Sequence, residues 1–152
     1  MNTPVRRRFV ALLAGLAAVP LLPFRAARAQ ADPFAALLEQ VTGGATVRTG
    51  RVKVDTPRLA DNGHSVPLTV SVESPMTAAD HVRSITLLSE RNPRPLMATF
   101  YLGPKAGRAE VATRVRLNGT QRVLAVAQIS DGSYWSGTAE VEVTESACLD
   151  MS

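Results

Sequence analysis

The chain has 152 residues, 17 of them basic and 13 acidic, which gives a formal charge of +4 and suits a single domain. Five of the arginines (Arg6, Arg7, Arg8, Arg25 and Arg28) fall in the first 30 residues, where there is no acid, so the remainder carries 12 bases against 13 acids and a formal charge of −1. The high overall basicity is therefore no argument for nucleic acid or an anionic membrane surface as a partner, and one Cys with two His excludes a disulfide framework and a thiolate zinc site.

The first element is an export leader over residues 1–31. Arg6-Arg7-Arg8-Phe9 precedes an apolar run from Val10 to Leu22, too short for a comfortable membrane span, and small residues at Ala27, Ala29 and Ala31 offer cleavage sites. The Arg6-Arg7-x-Phe9 order resembles the twin-arginine signal, which implies a periplasmic destination and no membrane attachment once the leader is removed.

After the leader, Asp32-Pro33 reads as an N-cap followed by a proline at the first helical position. Phe34, Leu37, Leu38 and Val41 make an apolar stripe at helical spacing, and Gly43-Gly44 ends it. The period then changes to two. Arg51 to Asp55 alternates, Asp61-Asn62-Gly63 turns, and Val66, Leu68, Val70 and Val72 line one face of a strand whose Pro67 points to an edge or a strand start. Further strands run from His81 to Ser89, from Leu96 to Leu102 and from Ala109 to Leu117, separated by Asn92-Pro93-Arg94-Pro95 and by Gly103-Pro104-Lys105-Ala106-Gly107. Asn118-Gly119 reads as a hairpin turn, which explains it better than its formal match to a glycosylation sequon. Val123 to Ile129 is apolar on both faces, as a central strand must be, and Asp131-Gly132 turns into a last strand from Tyr134 to Val143 with Trp135 as a core anchor.

The pattern predicts an all-β fold: an immunoglobulin-like β-sandwich of about seven strands preceded by one short α-helix, over residues 32–143. The remaining residues, 144–152, form a C-terminal arm that holds the single thiol, Cys148. Five residues of extended chain reach from Val143 to Cys148, up to roughly 17 Å. A lone thiol in an exported protein is reactive, paired between molecules, or unused, and Glu145 and Asp150 beside it disfavour its anion. There is no Gly-rich phosphate loop, no G-x-S-x-G and no H-E-x-x-H, and His64 and His81 lie on separate segments with no third ligand, so no metal site is expected. The arginines of the mature chain are spread singly along strands and loops, which reads as a solvated face rather than a binding stripe.

Three segments resemble a known family: residues 60–77 (Ala-Asp-Asn-Gly-His-Ser-Val-Pro-Leu-Thr-Val-Ser-Val-Glu-Ser-Pro-Met-Thr), Arg91-Asn92-Pro93-Arg94-Pro95, and residues 125–135 (Ala-Val-Ala-Gln-Ile-Ser-Asp-Gly-Ser-Tyr-Trp). Together with the leader and the short helix they make the chain similar to the sulfur-oxidation carrier proteins of the SoxY family. The resemblance implies an immunoglobulin-like subunit that is not itself an enzyme, needs no separate cofactor, and pairs with a smaller SoxZ-like companion as a heterodimer. It also implies that Cys148 carries sulfur intermediates covalently between periplasmic enzymes of thiosulfate oxidation. The usual family arm, Gly-Gly-Cys-Gly-Gly, is replaced here by Ser146-Ala147-Cys148-Leu149-Asp150, closer to related paralogues with an Ala-Cys-Ile-Glu ending. A non-catalytic adaptor that holds the companion, with the thiol idle or in an intermolecular disulfide, is the other reading.

Overall fold

A computed structural model describes residues 32–146. The expected leader (residues 1–31) and the arm from residue 147 onward, Cys148 included, lie outside the described residues.

The one α-helix, α1, spans Ala35–Thr42 and starts later than its sequence suggests. Asp32 does not cap it. Its Oδ1 accepts from the Phe34 N–H at 3.1 Å and its carbonyl accepts from Ala35 at 2.9 Å, so Asp32-Pro33-Phe34 forms a separate turn ahead of the helix. Gly43 ends α1 in the left-handed region at φ 65°, returning its N–H to the Glu39 carbonyl.

Nine strands follow, two more than expected: β1 (Val47–Thr49), β2 (Val52–Asp55), β3 (Leu59–Asn62), β4 (Val66–Val72), β5 (Val82–Ser89), β6 (Leu96–Tyr101), β7 (Glu110–Val115), β8 (Gln121–Ile129) and β9 (Tyr134–Glu145). They form two sheets. The larger has the order β1-β9-β8-β5-β6, with β3 also on β9, and the smaller has the order β2-β4-β7. Between them lies the main core, built from Val66, Leu68, Val70 and Val72 of β4 against Ile85, Leu87, Val123, Ala125, Ala127 and Val141. The all-β sandwich with a short leading helix is thus the observed fold.

The apolar double face of β8 has a direct cause. Its inner residues meet the small sheet, while Leu124 and Val126 turn to the opposite side and join Leu88 beneath Phe34, Leu37, Leu38 and Val41 of the α1 segment. Arg122 fixes the start of that segment: its guanidinium lies 5.2 Å over the Phe34 ring, 3.4 Å from Asp32 Oδ1 and 3.2 Å from Glu90 Oε2. These bonds hold the Glu90 carboxyl below its ordinary range, chiefly through the side-chain hydrogen bond from Arg122, and the same bond raises Arg122 in turn.

Three turn or edge expectations are corrected. Pro67 belongs to the middle strand of the small sheet, near its start, and the β2 ladder stops at Thr69, so Pro67 has a strand neighbour only on the β7 side. Residues 59–62 are strand β3 rather than part of a turn, and the reversal comes after Asn62. Asn118-Gly119 is no hairpin, because β7 pairs with β4 while β8 pairs with β5 and β9. It carries the chain from one sheet to the other, with Gly119 at φ 77°. Asp131-Gly132 does form the hairpin into β9, closed by the Ile129 N–H to Ser133 carbonyl bond at 2.9 Å.

Candidate functional site

What the described residues show of the candidate site is the root of the arm, the end of β9. This strand pairs with β8 up to Val141. Beyond that point β3 takes over on the other edge, in parallel register, with Leu59 beside Glu142, Ala60 beside Val143 and Asn62 beside Glu145. Side chains replace β8: the Val143 N–H donates to Thr120 Oγ1 at 3.0 Å, and Thr144 Oγ1 donates to the Ala60 carbonyl at 3.3 Å. The Gly63 N–H closes the set on the Glu145 carbonyl at 2.7 Å.

Ser146 continues the anchorage by hydrogen-bonding the Asn118 side-chain oxygen. Asn118 is held in turn, because its N–H donates to Asn92 Oδ1 at 2.9 Å and its Nδ2 to the Arg91 carbonyl at 3.4 Å. Beneath these loops sits Gln121, 3% exposed, whose Nε2 donates to Asn92 Oδ1 at 3.0 Å while its Oε1 accepts from the Arg91 N–H at 3.0 Å. A buried amide must satisfy donor and acceptor alike, so Gln121 locks the 91–92 and 118–120 segments together.

This geometry shortens the arm. The last strand ends at Glu145, two residues after the expected Val143, and Ser146 is still bonded to the body. From Glu145 to Cys148 is three residues, at most about 10 Å of extended chain instead of about 17 Å.

His64 follows Gly63 at the root, with its N–H on Asn62 Oδ1 at 3.2 Å, whereas His81 is elsewhere, its Nδ1 3.1 Å from the Thr77 carbonyl. The structure does not bring the two histidines together, and among the described residues no group of three or more His, Cys, Asp or Glu could hold a metal ion. No described helix is long and apolar enough to cross a membrane. Trp135 is half-buried against the main core as expected, with Nε1 donating to Ser133 Oγ at 3.1 Å. Its ring also takes Arg48 at 5.7 Å and Arg51 at 5.6 Å, a pairing that the sequence did not suggest.

Nor are all the arginines scattered. Arg94, Arg114 and Arg116 line one open cleft together with Asn92, a residue already tied to the arm root. The available signal was the two-residue spacing of Arg114 and Arg116 on one strand. It points to a site only once β6 and β7 are known to be the edges of their sheets.

Fold and root together define a class: β-sandwich subunits that hand a C-terminal segment on from a fixed point at the end of the last strand. The family model for the sulfur oxidation protein SoxY matches residues 38–148, and the chain belongs to that family. The structure of the sulfur carrier protein SoxY from Chlorobium limicola f thiosulfatophilum is similar at 25% identity and TM-score 0.63, covering 76% of this chain and 99% of that one. Superoxide reductase (neelaredoxin) from Ignicoccus hospitalis shares the fold alone, at 18% identity and TM-score 0.57 over 64% of this chain and 94% of its own. So does a putative superoxide reductase from Thermotoga maritima, at 18% identity and TM-score 0.56 over 65% and 95%. No curated protein matches the sequence. Family and structural likeness assign the protein a role in sulfur oxidation.

Proposed function

We propose that the protein is a periplasmic carrier that holds sulfur intermediates covalently on Cys148 and presents them to partner enzymes of thiosulfate oxidation. It acts as a scaffold with a chemical handle, not as an enzyme, and uses no cofactor beyond the adduct. The observation that carries this reading is that the match to the family runs to residue 148, the position of the one thiol in the chain. The clamped end of β9 supports it, since a fixed root and a short arm offer the sulfur at a defined place. Joining the thiol to a second sulfur forms an S–S bond with loss of a proton and two electrons, so loading needs an oxidising partner enzyme.

The Arg6-Arg7-x-Phe9 leader supports export to the periplasm, with residues 1–31 removed, leaving the domain of residues 32–143 and the arm of residues 144–152. A SoxZ-like companion is supported by the outer edge of the large sheet, where β6 exposes Leu96 (51%) and Tyr101 (85%).

A strain in which Cys148→Ser replaces the native residue tests the reading. Growth and companion binding are expected to be unchanged, while the sulfur-dependent phenotype is lost. Wild-type handling of sulfur compounds by that strain would refute the carrier and leave the adaptor.

A further inference from the structure

One side of the sandwich stays open between β6, the edge of the large sheet, and β7, an edge of the small one. A cleft of about 390 Å³ lies there. Its floor is apolar, made by Leu87, Met97, Ala98 and Val115, and its rim carries the guanidinium groups of Arg94, Arg114 and Arg116. No carboxylate lines it. The ion pairs found among the described residues use Arg51 and Arg122, and none reaches these three arginines. Arg114 is steadied by Ser65, with Nη1 donating to the carbonyl at 3.3 Å and to Oγ at 3.4 Å, which leaves its remaining N–H groups for a ligand. On a chain whose formal charge is −1 without its leader arginines, this rim is a local reversal of sign.

We propose that this cleft binds a small sulfonate-type anion from solution: oxyanion at one end, soft or apolar atom at the other, as in thiosulfate. The guanidinium forks donate charge-assisted hydrogen bonds to the oxygens. The other end, a polarisable sulfur or a methyl, rests on the thioether of Met97 and the aliphatic floor. Sulfate and phosphate, hydrated on every side, would lose solvation against that floor with nothing to replace it.

The cleft and the arm root share a wall. Asn92 lines the cleft, donates from Nδ2 to the Arg116 carbonyl at 2.8 Å, and accepts the Asn118 N–H at 2.9 Å, while Asn118 holds Ser146. An anion in the cleft is thereby gathered beside the base of the arm. Its use depends on the carrier reading; its binding does not.

The test is a titration of the mature chain with Cys148→Ser, followed by NMR at constant ionic strength, using thiosulfate, methanesulfonate, sulfate and phosphate. Thiosulfate and methanesulfonate are expected to give saturable shifts at Met97, Ala98, Thr113 and Val115, with sulfate and phosphate weaker by about tenfold or more. Arg114→Gln and Arg116→Gln each weaken thiosulfate by about tenfold. Arg108→Gln, an exposed arginine that does not line the cleft, leaves it unchanged. Shifts that fail to saturate, equal binding of phosphate, or equal damage from Arg108→Gln would overturn the proposal. Because the thiol is absent throughout, failure here says nothing against the carrier, and failure of the carrier says nothing against the cleft.

Discussion

Gly137→Ala separates two opposed effects on one residue. Gly137 sits in β9 beside Ser136, which pairs with Thr49 of β1, and the chain then crosses to the small sheet, where Val52 opens β2. The crossing passes directly over Gly137: a Cβ there would lie 2.2 Å from the Val52 carbonyl oxygen, 2.9 Å from its carbon and 3.3 Å from Val52 Cβ. Its backbone is not in the left-handed region, so by propensity alone alanine in a strand would stabilise by about 0.5–1 kcal/mol. The obstruction is main chain, which no rotamer change can move aside, so β2 must lift off β9 at an overpacking cost of about 1–3 kcal/mol or more. A net loss of about 2 kcal/mol is expected, read by urea unfolding of the mature domain as a midpoint lower by roughly 1 M at an unchanged slope. Gly103→Ala is the control, because Gly103 is extended at φ −144° with no atom within 4 Å of its Cβ position, and it is expected to shift stability by less than about 0.5 kcal/mol. A neutral or stabilising Gly137→Ala would refute the close crossing of β2 over β9.

The pair Glu90 and Arg122 is expected to couple by about 0.5–1 kcal/mol at neutral pH in a double-mutant cycle with Glu90→Gln and Arg122→Met, since both groups are partly solvated. Because the folded carboxyl is held below its ordinary value of 4.5, that coupling is complete above the unfolded-state value and disappears as pH falls through the folded one; a coupling that stays constant down to pH ~2 would contradict it. Asn118→Ala removes the hold on Ser146 and on the Arg91 carbonyl, so amide exchange at Gly63 and Val143, whose N–H groups close the arm root, is expected to quicken about tenfold with little change in global stability. Unchanged exchange at both amides would mean that β3 alone secures the root.

The parts of the fold legible in the sequence are those where one long segment carries its own period. The alternation of Val66, Leu68, Val70 and Val72 gives the inner face of β4, and the unbroken apolar run of β8 gives a strand covered on both sides. β1 and β3, of three and four residues, have no room for a period, and they exist because the outer edge of β9 needs partners at its two ends. Asn118-Gly119 has the chemistry of a hairpin, but the amides of Asn92 and Gln121 capture that turn from other segments, and it becomes a crossing between sheets. Cys148 is legible as the only thiol, whereas the arm root depends on Thr120, Gly63 and Asn118, which meet β9 only through tertiary contact. The cleft arginines were hidden for the same reason: Arg94 comes from a loop and the other two from β7 and its end.

Covalent carriage of sulfur on Cys148 is tested most directly by the intact mass of the protein isolated from its own periplasm without reductant. The expected result is a mature chain bearing sulfur-containing additions that map to the Cys148 peptide, vanish on reduction and are absent from Cys148→Ser. A clean thiol, or a simple disulfide-linked dimer with no added sulfur, would contradict the carrier.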